Sequence, residues 1–151
     1  MIYIEIDERY QADVDAALLE KTALAALTHE QADPQAECSI VVSDDDQLHA
    51  LNQQFLGIDA PTDVLSFPGE EIDPETGAPY LGDIILSFPR AQAQAASGGH
   101  PVSAEVQLLV VHGILHLCGH DHAEPEDKAR MWAAQAEILM GLGSPITGPI
   151  E

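Results

Sequence analysis

Basic residues are scarce in this sequence. Five lysines and arginines stand against 26 aspartates and glutamates, which gives a formal net charge of -21. A field of this sign repels polyanions at long range and offers few of the phosphate contacts that drive nucleic-acid affinity. Composition by itself therefore argues against nucleic acid as a partner. It leaves two readings of the surface: adaptation for solubility or salt, or a dedicated basic partner.

Cysteines are also few, and we expect neither a membrane span nor a leader sequence. Only Cys38 and Cys118 occur, without a CxxC pair, so we expect free thiols and a reducing cytoplasm. No apolar run approaches the roughly 18 residues of a membrane span. The start, MIYIEIDERY, has no basic stretch before an apolar one, so we expect no signal peptide. The length of 151 residues predicts one domain over 1–151.

Periodicity along the chain predicts alternating elements with the helices concentrated late. The short β-branched or alternating runs predict strands at 2–7, 39–43, 63–67 and 81–87. Helical spacing, capping residues and helix-breaking residues predict five helices. One follows the acidic cap at 43–46, and the others are predicted at about 12–27, at about 90–96, at 103–117 and at about 125–140. The segment 141–151 has too much glycine and proline for a regular element. This order predicts an α+β fold, a sheet packed with about five helices.

The segment HGILHLCGHDH, residues 112–122, carries the chemistry. His112 and His116 are four residues apart on one helix face, so both imidazoles can bind one ion, at about 2.0–2.1 Å for zinc. Gly119 can end the helix in the left-handed conformation, and His122 can then return beneath the first two. This spacing is the one that metzincin proteases use around zinc. Three imidazoles favour one Zn²⁺ per chain over Mg²⁺ or Ca²⁺, with nickel and copper as open alternatives. A fourth position stays open for a catalytic water.

The general base is not identified by these residues. Gly113 stands where an HExxH protease has its glutamate. His120 is a candidate ligand off the main register, and Asp121 is either an acceptor for a ligand imidazole or a solvated turn residue. Cys118 is predicted to point into the core. Three further histidines stand alone in the sequence and are predicted to be surface or loop residues: His29, His49 and His100.

Four segments together resemble the YbeY endoribonucleases, bacterial zinc proteins of ribosomal RNA processing. They are LNQQF at 51–55, PTDVLSFP at 61–68, LGDIILS at 81–87 and the histidine segment at 112–122. The resemblance covers most of residues 37–141 and implies a single α+β domain with a small mixed four-stranded sheet. It implies zinc bound in a cleft, cleavage of single-stranded RNA, maturation of the small-subunit ribosomal RNA at its 3′ end and ribosome quality control. The implied partners are single-stranded RNA and the small ribosomal subunit, with no DNA and no membrane.

The sequence departs from the family at Leu56. The family carries an arginine there, thought to bind substrate phosphate, and Ile58 stands where relatives often have lysine. An arginine can hold a phosphate bidentately and stabilise developing charge, and a leucine can do neither. Arg90 is the nearest substitute in sequence, although an exposed helix residue is its simpler interpretation. Weak cleavage is therefore predicted, and two alternatives stay open: a ribosome assembly factor, or a metallohydrolase acting on another substrate.

Overall fold

Four strands form one mixed sheet in the computed structural model, which describes residues 1–146. The strands are β1 (Ile2–Ile6), β2 (Glu37–Ser43), β3 (Val64–Pro68) and β4 (Tyr80–Ser87). Their order across the sheet is β1-β2-β4-β3. The β1–β2 and β2–β4 pairs are parallel, and β3 runs antiparallel to β4 at one edge. The mixed four-stranded sheet confirms the predicted fold class.

In the described part of the chain five α-helices accompany the sheet, as predicted: α1 (Ala16–His29), α2 (Asp45–Leu56), α3 (Phe88–Gly98), α4 (Val102–Leu117) and α5 (Pro125–Gly141). Helix α1 begins later than the predicted residue 12, because the Asp15 carboxylate caps it by accepting from the Ala17 amide at 3.0 Å. Helix α3 begins two residues earlier than predicted, since Ser87 caps it and proline is tolerated in the first turn. The acidic cap of α2 is Asp44.

Helix α4 is the central helix of the fold. It packs against β3 and β4 on one side and against α1, α3 and α5 on the others, and all residues 104–115 are buried. At Gly113 a Cβ would lie 2.9 Å from Ile84 Cγ2 in β4, so any side chain there would push the helix off the sheet. This close approach fixes where the histidines of α4 lie relative to the strands.

The main core lies between the sheet and helices α1, α3, α4 and α5, while a smaller cluster of Leu48, Leu65 and Ile85 lies beneath α2. Within residues 1–146, no helix combines the length and apolar character that crossing a membrane requires. Both cysteines are free thiols, Cys38 buried and Cys118 half-buried against the core. Of the segment predicted to be irregular, Gly141 closes α5 and 142–146 form no helix or strand, whereas 147–151 lie outside the described residues.

Candidate metal centre

The three predicted histidine ligands come together at the carboxyl end of α4. His112, His116 and His122 each offer one ring nitrogen, and these nitrogens all lie within 4.8 Å of one another. The rings range from buried to exposed, since His112 is only 5% exposed, His116 is half-buried and His122 is exposed. The group therefore opens from a buried floor towards solvent, and one side of it is accessible to a small molecule.

The turn after α4 brings the third histidine back to the other two. Gly119 has a φ of +98°, a conformation that favours glycine. Its amide donates to the His116 carbonyl at 3.0 Å, and the His120 amide donates to the Leu115 carbonyl at 2.9 Å. The chain then reverses, and the Asp121 carboxylate accepts from the His122 amide at 2.7 Å. The turn predicted from the glycine is thus present, with the ring of His122 beside the helix.

Hydrogen bonds at Nδ1 orient the two helical imidazoles. His112 Nδ1 lies 3.2 Å from Gln135 Oε1, and His116 Nδ1 lies 3.0 Å from the His120 carbonyl oxygen. Both partners are acceptors, so each Nδ1 carries the proton and donates it. Each Nε2 is then an unprotonated nitrogen with a lone pair, and the two Nε2 atoms face each other at 3.1 Å. Two lone pairs so placed repel unless a cation lies between them.

The donor set fits a divalent zinc-like ion. Nitrogens about 2.0–2.1 Å from a tetrahedral metal lie roughly 3.3 Å apart, close to the 3.1 Å separation of the two Nε2 atoms. Ligation also requires neutral imidazoles. Burial lowers the pKa of His112 to about 4 and lowers the pKa of His116 as well, so both rings are neutral at pH 7. No proton has to be displaced from either nitrogen when a metal binds.

The three histidines form part of the wall of a cleft of about 510 Å³. Residues 62–63, β3, the end of α2 and the start of α5 complete the lining. Among the described residues, Asp63 and Lys128 are its single carboxylic acid and its single amine. Burial raises the pKa of the Asp63 carboxyl above its usual range. The cleft is thus close to neutral although the chain as a whole carries a charge of -21. The overall charge therefore does not describe the surface that a substrate would meet.

The other histidines lie outside the three-histidine group. His120, considered as a fourth candidate, has its Nε2 2.5 Å from Glu30 Oε1 instead. Asp121 bonds to a backbone amide rather than to a ligand imidazole. His29 and His49 bond to carboxylates near the surface, whereas His100 bonds at 2.7 Å to Glu105, which is only 4% exposed.

Three residues of α5 at the site were not predicted from the sequence. They share one helix face: Lys128, Trp132 and Gln135. The Trp132 ring centroid lies 5.8 Å from that of His112 and 5.6 Å from that of His122. Their spacing of four and then three residues was the available signal, since it places all three on the same side of a helix.

Leu56 lies in the cleft of the metal centre, whereas Arg90 lies outside it. Leu56 is 57% exposed and lines the cleft with the histidines, so an arginine at that position would reach the same space. Arg90 does not line the cleft, and its Nε lies 3.5 Å from Asp45 Oδ1. Ile58 is half-exposed and also lies outside the lining. The missing arginine is therefore not replaced by Arg90.

Comparisons with known proteins agree with this architecture. The family model described as Endoribonuclease YbeY matches residues 4–143. A protein of Roseiflexus castenholzii described as endoribonuclease YbeY is 42% identical over 148 residues, covering 95% of this chain and 93% of its own length. One of Chloroflexus aurantiacus with the same description is 45% identical over 154 residues, covering 96% and 99%. A solution structure of a Thermotoga maritima protein aligns with a TM-score of 0.59 at 26% identity, covering 100% of this chain and 97% of that one.

Proposed function

The chain belongs to the endoribonuclease YbeY family, and we propose that it cleaves single-stranded RNA with one zinc ion held by His112, His116 and His122. Family membership makes the chain a hydrolase that acts on RNA. The metal, its ligands and the preference for single strands belong to the proposal. The observation that carries it is the pair of unprotonated Nε2 atoms facing each other at 3.1 Å at the wall of a solvent-accessible cleft.

Residues around the ligands hold the site in a binding-ready form. Gln135 and the His120 carbonyl fix the tautomers of His112 and His116, so neither ring has to turn when it binds. His112, His116 and His122 would hold the divalent ion, which would supply Lewis-acid polarisation of a phosphoryl oxygen and lower the pKa of a bound water. His122, at the exposed end, leaves the cleft side of the group open to a phosphodiester.

Gly113 argues against a peptidase with the same ligand spacing. That enzyme class needs a glutamate beside the first histidine. Here the position faces Ile84 in the core, where even a Cβ would lie 2.9 Å from the neighbouring methyl. A glutamate there would neither fit nor reach the cleft, so a non-RNA metallohydrolase of the protease type is the weaker candidate.

Leu56 sets the expected rate. The side chain lines the cleft without offering a charge or a hydrogen-bond donor. Removing one preorganised donor to developing charge typically costs about 10²–10³ in rate. We therefore expect slow cleavage by the wild type, and the ribosome assembly factor with little nuclease activity is the alternative that Leu56 favours.

The proposed biological role follows the family resemblance. The target is ribosomal RNA, with maturation of the small-subunit 3′ end and ribosome quality control as the processes, and the small ribosomal subunit as partner. The proposed compartment is the cytoplasm, where thiols such as Cys38 and Cys118 remain reduced.

Cleavage of a labelled single-stranded RNA by the wild type and variants, each with added zinc and at two salt concentrations, tests the proposal. We expect His116→Ala to be inactive and Leu56→Arg to exceed the wild type by at least about tenfold. Leu56→Met, which keeps volume without charge, is the matched control and should equal the wild type. Fast cleavage by the wild type with no gain from Leu56→Arg would show that another group holds the phosphate. No cleavage by any variant, with ribosome binding retained, would favour the assembly factor.

A further inference from the structure

The few cations of this protein are mostly engaged with carboxylates. All three arginines pair with aspartates, in four salt bridges, and the two lysines form no salt bridge within residues 1–146. Only one of the five basic residues lines the cleft of the metal centre, and that residue is Lys128. The five are Arg9, Lys21, Arg90, Lys128 and Arg130.

Lys128 is held beside the metal centre by an aromatic ring. It precedes Trp132 by one helical turn in α5, and its Nζ lies 5.8 Å from the Trp132 ring centroid, within the roughly 6 Å range of a cation–π contact. The same ring lies 5.6 Å from the ring of His122. The Trp132 ring is therefore close both to the Lys128 ammonium and to the His122 ring.

Helix electrostatics do not explain a lysine at this position. Lys128 lies near the amino end of α5, where the helix dipole favours acidic residues, and Glu126 and Asp127 satisfy that preference in the first turn. Lys128 instead lines the same cleft as Leu56, a half-exposed apolar side chain that cannot bind a phosphate. The lysine ammonium therefore provides a positive charge for an RNA phosphate in this cleft.

We infer that Lys128, held by Trp132, binds a backbone phosphate of the RNA next to the metal centre. This inference rests on the proposed function and adds a binding residue to it. A lysine ammonium contributes to phosphate binding as a point charge. It can therefore raise affinity for the chain of phosphates without replacing the bidentate contact that an arginine at position 56 would make to the reacting group.

The test compares three variants of the zinc-loaded protein: Lys128→Gln, Lys128→Arg and Lys21→Gln. Lys21 is exposed in α1 and outside the cleft, so its replacement changes net charge equally and serves as the matched control. KM and kcat are measured for a labelled single-stranded RNA at several salt concentrations. Binding is measured by fluorescence anisotropy before appreciable cleavage has occurred, and the RNA is then checked for integrity.

We expect Lys128→Gln to raise KM and the dissociation constant about tenfold with little change in kcat, as one phosphate contact in a wet site would. The slope of log affinity against log salt should fall by about 0.7, the share of one phosphate of a single strand. Lys128→Arg and Lys21→Gln should resemble the wild type. If Lys128 had only a structural role, its replacement would not change the dependence of log affinity on log salt concentration.

Equal behaviour of Lys128→Gln and Lys21→Gln in an active protein would overturn the inference and leave the proposed function standing. A loss in Lys128→Arg as large as in Lys128→Gln would overturn it too, because charge would then not be the feature that matters. Lys128-dependent binding without cleavage would support the inference and refute the nuclease proposal. Neither binding nor cleavage by the wild type would refute both.

Discussion

Gln135 is the buried acceptor that orients His112, and Gln135→Met tests how strongly metal affinity depends on that contact. Gln135 Oε1 lies 3.2 Å from His112 Nδ1, and methionine keeps a similar volume without an acceptor. His112 would then be free to place its proton on the nitrogen that should bind the metal. Losing such a supporting contact typically costs 10–100-fold in metal affinity, about 1.4–2.7 kcal/mol.

The same substitution should leave the metal-free fold almost equally stable. Gln135 Nε2 is buried with no hydrogen-bond partner among the described residues, so methionine removes one unpaired donor. It also leaves the Nδ1–H of His112 without its acceptor. Each buried unpaired group costs about 1–3 kcal/mol, and these two effects have opposite signs. We therefore expect the free energy of unfolding to change by only about 1 kcal/mol.

Chelator competition gives the zinc dissociation constant, and urea unfolding of the metal-free protein gives the stability. Gln107→Met is the matched control, because Gln107 is another buried glutamine, 7% exposed, whose Nε2 donates to Thr22 at 3.2 Å away from the cleft. Its zinc affinity should equal that of the wild type. Unchanged zinc affinity in Gln135→Met, with a folded protein, would refute the role given to this hydrogen bond.

Three further predictions concern the ligands themselves. His116→Ala should lower bound zinc from about one equivalent per chain to nearly none by metal analysis. The control is His49→Ala, which should keep its zinc because His49 pairs with Asp59 outside the three-histidine group. Full zinc occupancy in His116→Ala would contradict the assignment of the metal site. Chelation should lower the melting temperature by about 5–10 °C, since a hundredfold excess of ligand over its dissociation constant stabilises by about 2.7 kcal/mol, and an unchanged melting curve after verified zinc removal would argue against this coupling. In the metal-free protein, burial lowers the pKa of His112 to about 4 from the ordinary histidine value of 6.5. The unfolded state therefore binds more protons, and the free energy of unfolding falls as the pH falls. This ring contributes a loss of roughly 3 kcal/mol between about pH 7 and 4, measured as the difference in urea unfolding from His112→Gln, and parallel curves for the two proteins would contradict it.

Local patterns were enough to predict most of the fold. The strand 81–87 and the helix 103–117 were each recovered to within one residue at each end, as Tyr80–Ser87 and Val102–Leu117, because their apolar runs and breakers are strong. The strand predicted at 39–43 begins at Glu37, since β2 lies between β1 and β4 and pairs with both. Pairing of this kind depends on distant segments, which local periodicity does not contain.

The grouping of the three histidines could be predicted because its geometry is local. Helical spacing and one glycine turn place His112, His116 and His122 together within eleven consecutive residues. The contacts that orient the histidines could not be predicted from the sequence, because Gln135 is 23 positions from His112 in the chain. Which face α5 turns towards α4 is decided by side-chain packing between the helices, and only the structure contains that information.

A zinc titration of the metal-free protein decides whether one metal ion at this site is required for cleavage of single-stranded RNA. Cleavage of a labelled single-stranded RNA is measured as zinc is added back, beside a duplex of the same sequence. We expect no cleavage without metal, a linear rise that ends at about one zinc per chain, and no cleavage of the duplex. Cleavage that persists in the metal-free protein, or that does not respond to added zinc, would contradict it.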